Sequence, residues 1–410
     1  MNGVRRTTAV AAVALTLIAS ACSESAPERA PRITELPSPA GPGSGEPNLT
    51  FDVDGGVLLS WIERGADSVA SVRMARLTDD TWGTAHTIVT GVPLFVNWAD
   101  FPSVAVAADG RLVAHWLQRS GPDTYSYDAM IARSTDGGAT WSAGFPLHRD
   151  GLKAEHGFVS LWPAGSDSIG AVWLDGRKSA MADSAREMQL AYTTIAPDGG
   201  FGIEQILDTR ICDCCQTSVA PTPTGAIVVY RDRTDDEVRD IYVIRLVDGE
   251  WSEGAPVHQD GWTINACPVN GPAIAARGAL VAVAWFTAAH DTARVRLAFS
   301  SDGGASFGPP IEIDDGNPAG RVDVELLADG RAVVSWLERT GGDSAAVRMR
   351  TVAETGERGA AWTVAATSGA RASGFPRMVS AGDGLVMAWT ATEPGAPARV
   401  RVARIEQITP

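Results

Sequence analysis

Three cysteines, Cys212, Cys214 and Cys215, fall within four positions of the stretch RICDCCQTS, and a fourth, Cys267, opens CPVNGP. Thiols so closely spaced serve as disulfide staples, as soft-metal ligands or as a redox centre, and the compartment decides among these. Other reactive side chains gather in polar loops that recur along the chain. NWADFP carries Trp98 and Asp100, EHGF carries Glu155 and His156, and LDGRK carries Asp175 and Arg177. RDRTDDEVRD supplies Arg231, Arg233, Glu237 and Arg239, while Asn270, Arg321 and Arg377 sit in CPVNGP, GRVDV and RASGFPRM. Carboxylates and arginines gathered in this way suit an anionic or sugar-like ligand held by bidentate arginine contacts.

The N-terminus bears on the compartment. Arg5 and Arg6 precede the apolar run AVAAVALTLIASA, which ends at Cys22. That run is too short to span a bilayer, and its charged start and small-residue end are those of a secretory signal. It resembles a bacterial lipoprotein signal, in which the cysteine after the small residues is lipidated and becomes the mature N-terminus. The resemblance implies a signal over residues 1–22, lipidation of Cys22, and an exported protein of the cell envelope. Its only membrane contact would be the lipid, on a face toward the periplasm or the cell surface. Four cysteines then remain, and in an oxidising compartment they are expected to pair, Cys267 with one of the cluster and the other two locally. A thiolate metal site that includes His156 is the alternative.

Residues 23–44 are rich in Pro, Ser and Gly and read as a spacer. A net charge of -15 argues against nucleic-acid binding, which needs a basic surface. No glycine loop for a nucleotide and no metal-binding helix motif occurs, so no cofactor is expected.

A repeat must position the loops. An apolar run ending in an aromatic returns at Trp61, Trp116, Trp173, Tyr230, Trp285, Trp336 and Trp389, at intervals of 51–57 residues. Each copy has an earlier apolar run, in several cases set off by an Asp-Gly turn as at Asp109-Gly110, and an alternating strand such as VRMARL follows the aromatic. Four short strands at this period predict an all-β propeller over residues 45–410, with seven blades, six being the alternative. The seventh copy ends after its third strand, so RITEL, Arg32–Leu36, is expected to supply the missing outer strand and close the ring as a monomer.

Two copies carry a fuller turn, STDGGATW at Ser134–Trp141 and SSDGGASF at Ser300–Phe307. These resemble the Asp-box, or BNR repeat, of the sialidase superfamily, with degenerate versions at LTDDTW, APDGGF and LVDGEW. The resemblance implies that Asp136 and Asp302 are structural and that the site lies on the opposite face of the disc, at the loops leading into each first strand. Eighteen residues before the repeat aromatics stand Trp98, Glu155, Cys212, Cys267 and Arg371, a ring around the central funnel.

A sialidase holds the substrate carboxylate with three arginines and uses a Tyr nucleophile, a partner Glu and an acidic Asp. That resemblance makes Asp100, Glu155, Asp175 and Glu237 the catalytic candidates. Trp98, His156, Arg177, Arg231, Arg233, Arg239, Asn270, Arg321 and Arg377 are the candidates for binding. GEPNLTF lacks the Arg-Ile-Pro of the sialidase first blade, and the last tyrosine is Tyr242, early for that nucleophile. Three readings stand: a propeller that binds and hydrolyses a glycan or other anionic small molecule, a non-catalytic platform for a ligand or protein, and a metal or redox site at the cysteines.

Overall fold

The computed structural model describes residues 1, 3, 30–65, 69–181, 187–393 and 395–408. The signal-like segment and Cys22 lie outside these residues, as does the spacer as far as residue 29. Seven antiparallel sheets form, six of them built from chain-consecutive strands and the seventh from the last three strands and the first. The second blade is typical, with Ser103–Val106 innermost, then Leu112–Arg119 and Tyr127–Ser134, and Phe145–Pro146 outermost. Innermost strands of successive blades lie side by side round the ring, and that of the first blade, Ser44–Phe51, meets that of the last, Arg377–Ala381. Seven blades form, so the six-bladed alternative is set aside.

Arg32–Leu36 is the outer strand of the seventh blade and pairs with Arg399–Glu406, Arg32 opposite Glu406 and Leu36 opposite Val402. The ring is therefore closed by joining the two ends of the chain in one sheet.

Each repeat aromatic lies within a second strand and faces the gap between blades, and all seven are buried. A buried indole N–H usually finds a hydrogen-bond partner. In three blades that partner is the acid two residues on: Trp61 donates to Glu63 (3.1 Å), Trp173 to Asp175 (2.8 Å) and Trp336 to Glu338 (2.6 Å). Seven apolar clusters result, one in each gap, such as the one that packs Trp173 with Tyr127, Val113 and Leu147.

The full Asp-boxes are self-contained turns. Asp136 accepts from the Thr140 amide (2.9 Å) and hydroxyl (2.6 Å), and Gly137 and Gly138 take left-handed φ of 70° and 92°. Asp302 makes the same bonds to Ser306. Among the described residues no helix is long and apolar enough to cross a membrane.

Candidate functional site

The face opposite the Asp-boxes is built by loops leading into the first strands. A β-bulge near the start of that strand in the first, third and sixth blades places Glu46, Phe158 and Arg321 at φ of 52–55°. Side chains accept that conformation only where their surroundings over-determine it. The third blade shows how. The Phe158 amide donates to Asp100 Oδ2 at 2.6 Å, and a Cβ on Gly157 would stand 2.5 Å from the same oxygen and 3.0 Å from the Tyr127 ring. Glycine alone fits there.

These loops enclose a cavity of about 990 Å³. Trp98, Glu155, Cys267 and Arg371 line it, and Cys212 lies behind Asp213 and Cys214, which also line it. Trp98 stacks on Phe375 at 5.7 Å, with the Arg321 guanidinium 4.8 Å from its ring. Tyr125, 62% exposed, lines the same cavity. Asn97, Asp123 and Lys153 add polar groups.

Glu155 is the carboxyl best placed for chemistry. Tyr127 donates to its Oε1 at 2.7 Å, and Tyr127 is itself fully buried and stacked on Phe95 at 4.1 Å. Burial, with the Asp213 charge adding to it, pushes the Glu155 carboxyl up to about 7 against the Tyr127 hydrogen bond. Burial and the Glu155 and Asp100 charges hold the Tyr127 hydroxyl well above its ordinary range, so it acts as a donor. Asp100, 4% exposed, is also raised to about 7 by burial, but it lies beneath the cavity, engaged with Phe158.

The remaining candidates are brought to this face but are tied up. Asp175 is fully buried and accepts from Trp173 and from Arg177 (2.8 and 2.5 Å), the indole-anchoring role that Glu63 and Glu338 fill elsewhere. Arg177 also binds Glu204 at 2.6 Å. Arg233 and Arg239 both hold Glu237, whose carboxyl the Arg233 hydrogen bond, with that of Arg239, keeps down at about 2 against burial, so it has no proton to give near neutrality. Arg231 and Arg321 are buried and donate to backbone carbonyls, Arg321 to Gly374 and Ala370 at 3.0 Å, with Ser373 Oγ at 2.7 Å. Asn270 Oδ1 accepts the Arg321 amide at 2.7 Å and so joins two blades. Arg377 packs on Phe101 and lines the narrow central channel below. His156 is buried, stacked 3.5 Å from His148 and bonded through Nε2 to Asp150 at 2.9 Å. Among the described residues, Lys153 and Arg371 are the cations that line the cavity, so the three-arginine clamp expected of a sialidase is not assembled.

The expected disulfides are not formed. All four cysteines are free, with Cys212 Sγ 2.9 Å from Cys215 Sγ and 3.9 Å from Cys214 Sγ, beyond the roughly 2.05 Å of a bond. His156 does not join them, because Asp150 holds its ring. Burial opposes a thiolate at Cys212, but hydrogen bonds from Cys214 and Cys215 and the Arg231 charge outweigh it and hold Cys212 well below the ordinary thiol range.

Tyr125, Asp123, Lys153 and Asp213 were not among the residues expected here. The signal for the first two was the long loop SGPDTYS after the second strand of the second blade, with an aromatic at its tip.

Ring and cavity together define a seven-bladed β-propeller with a polar, aromatic-walled funnel. No protein-family model matches the chain, and no curated protein does. Among solved structures it is similar to the BP39L lectin of Burkholderia pseudomallei, at 11% identity over 87% of this chain and 96% of that one, with a TM-score of 0.61. A protein of unknown function from Dyadobacter fermentans matches at 15% identity, 92% and 98% coverage and a TM-score of 0.48. The NanB sialidase of Streptococcus pneumoniae matches at 12%, 88% and 68%, with a TM-score of 0.45. At such identities the likeness to the lectin shows the propeller fold and nothing about a ligand.

Proposed function

We propose that this protein binds a glycan in the funnel and hydrolyses it with Glu155 as the proton donor. The observation that carries the reading is that an aromatic platform, Trp98 with Tyr125, and a carboxyl raised to about 7 share one cavity. A sugar ring lays its apolar face on an indole while its hydroxyls reach polar groups at the rim, here Asn97, Asp123 and Lys153. Glu155 keeps its proton near neutrality and delivers it to the glycosidic oxygen, while Asp213, which lines the same cavity, serves as the second carboxylate. With Arg371 and Lys153 as the lining cations, the ligand is a neutral or weakly acidic glycan, and the sialidase reading takes second place to it.

The 62% exposure of Tyr125 favours a second reading, a platform that binds a glycan without cleaving it. A glycan array followed by a fluorogenic glycoside panel separates the two. Trp98→Ala is expected to weaken binding about tenfold or more. Glu155→Gln is expected to cut turnover about 10²–10⁴-fold, with wild-type turnover falling as pH rises above about 7. Asp136→Ala, in the opposite face, should leave both intact and cost about 1 kcal/mol of stability. Binding by the wild type with no turnover on any glycoside would leave the platform; binding unaffected by Trp98→Ala would end the funnel reading altogether.

The same proposal places the protein in the cell envelope through a lipid on Cys22. Metabolic labelling with a radioactive fatty acid is expected to mark the wild type and not Cys22→Ser. Label retained by the variant would refute the anchor.

A further inference from the structure

Glycan binding as proposed gives the four thiols no role, and two buried arginines stand beside them. Cys212 and Cys215 are buried, Cys214 is half-buried at the cavity wall, and the sulfurs of these three lie within 4.8 Å of one another. Cys267, exposed, arrives from the loop before the fifth blade and lines the same cavity as Cys214, just outside the group of three sulfurs. Two arginines back the group. Arg239, 3% exposed, donates Nη1 to Cys212 Sγ at 3.4 Å. Arg231, 1% exposed, spends its donors on the carbonyls of Asn270, Arg239 and Phe286 and stacks 4.9 Å from Trp262.

No carboxylate among the described residues forms an ion pair with Arg231. A guanidinium buried in this way is costly unless an anion stands near it. Two disulfides would be neutral and leave its charge unopposed, whereas thiolates would balance it. Adjacent thiolates in turn repel one another, and a cation between them removes that cost.

We propose that Cys212, Cys214 and Cys215 bind a thiophilic d¹⁰ cation, Zn²⁺ or Cu⁺, with Cys267 closing the fourth position from the next blade. An all-sulfur donor set selects such ions over hard ones. Metal–sulfur bonds of about 2.3 Å in a tetrahedron put the sulfurs about 3.8 Å apart. Cys212 and Cys214 already stand at 3.9 Å, and Cys215 needs to move from Cys212 by about 1 Å. Each thiol that coordinates gives its proton to solvent, and no electron is transferred. The ion would sit in the cavity wall and pin the loops before the fourth and fifth blades together.

The test uses the full chain, purified anaerobically with a phosphine reductant and titrated with Zn²⁺ and, separately, Cu⁺ against a chromogenic chelator. Elemental analysis and alkylation read by intact mass complete it. One equivalent per chain is expected, with the four cysteines protected from alkylation, and the ion bound more tightly identifies the metal. Cys214→Ser and Cys267→Ser lie at the cavity wall and are expected to keep the melting curve of the metal-free wild type while lowering affinity roughly 100-fold or more, since losing a ligand exceeds the 10–100-fold cost of losing an outer partner. Cys212→Ser adds the buried ligand, and if it fails to fold the two wall variants still decide. Reduced protein that takes up neither ion overturns the proposal, as does uptake undiminished in Cys214→Ser. A chain isolated with two disulfides that re-form in the presence of either ion would overturn it too.

Discussion

Removing Arg32–Leu36 is expected to destabilise the whole ring and to make the protein self-associate. The strand is five residues long, yet it completes the seventh blade. Leu36, 8% exposed, packs with Trp61, Val386 and Val402 in the cluster between the last and first blades, and Glu35 holds Arg401 through two bonds of 2.6 and 2.5 Å. Without the strand, the outer edge of Arg399–Glu406 presents unpaired N–H and C=O groups to any other chain. The loss is expected to be about 3 kcal/mol, a fall in Tm of roughly 5 °C or more, because the ring unfolds as a unit once its closure opens. Differential scanning calorimetry and light scattering measure the two effects. Leu36→Asp, which places a carboxylate in the same cluster, should fall in the same direction, and a truncation ending at residue 29 should behave as the full-length chain does. A truncation through Leu36 that melts with the parent and stays monomeric would show that the other six blades hold the ring without the strand.

Much of this architecture was legible because a propeller writes its period into the chain. Seven buried aromatics at intervals of 51–57 residues mark seven second strands, and the abrupt end of the seventh copy pointed to Arg32–Leu36 as donor. Register carried further than residue type. Counting back from the aromatics brought Trp98, Glu155, Cys267 and Arg371 to one cavity, since equal offsets in equal repeats occupy equal heights on the disc.

For the arginines a sequence shows a charge and not its partner. Arg177, Arg233 and Arg239 are engaged by Asp175, Glu237 and Asp213, and Arg231 and Arg321 by carbonyls that no pattern reveals. For Asp175 the signal was present. It follows Trp173 as Glu63 follows Trp61 and Glu338 follows Trp336, a recurrence that speaks for scaffold rather than catalysis. The tip of the loop carrying Tyr125 lies outside the repeat, so no register could place it.

The buried carboxyls make stability rise as pH falls from 8 to 6. Burial raises Asp100, Glu155, Glu46 and Glu325 each to about 7, and it does so by penalising the charged form. A carboxyl whose folded value exceeds its unfolded value binds more protons in the folded state between the two, so stability falls as pH rises across that window, from about 4 to about 7. His156 adds to the trend. Burial lowers it, but Asp150 and the nearby carboxylates raise it further, and its contribution is likewise lost as pH rises. His115 opposes. Burial depresses it to about 3, so its contribution is complete above its unfolded value near 6.5 and is lost only as pH falls below that. Between pH 8 and 6.5 the carboxyls and His156 therefore act in the same direction with no opposition from His115, and Tm is expected to climb by several degrees. Asp100→Asn isolates the largest single share, since the amide keeps the acceptor for the Phe158 N–H while removing the charge. It is expected to stabilise the protein by roughly 4 kcal/mol at pH 8 and by much less at pH 5, and to flatten the slope between them. Chemical denaturation at the three pH values checks this. A wild type that weakens from pH 8 to 6, or a variant with an unchanged slope, would mean that Asp100 is ionised in its buried place and that some unrecognised cation holds it so.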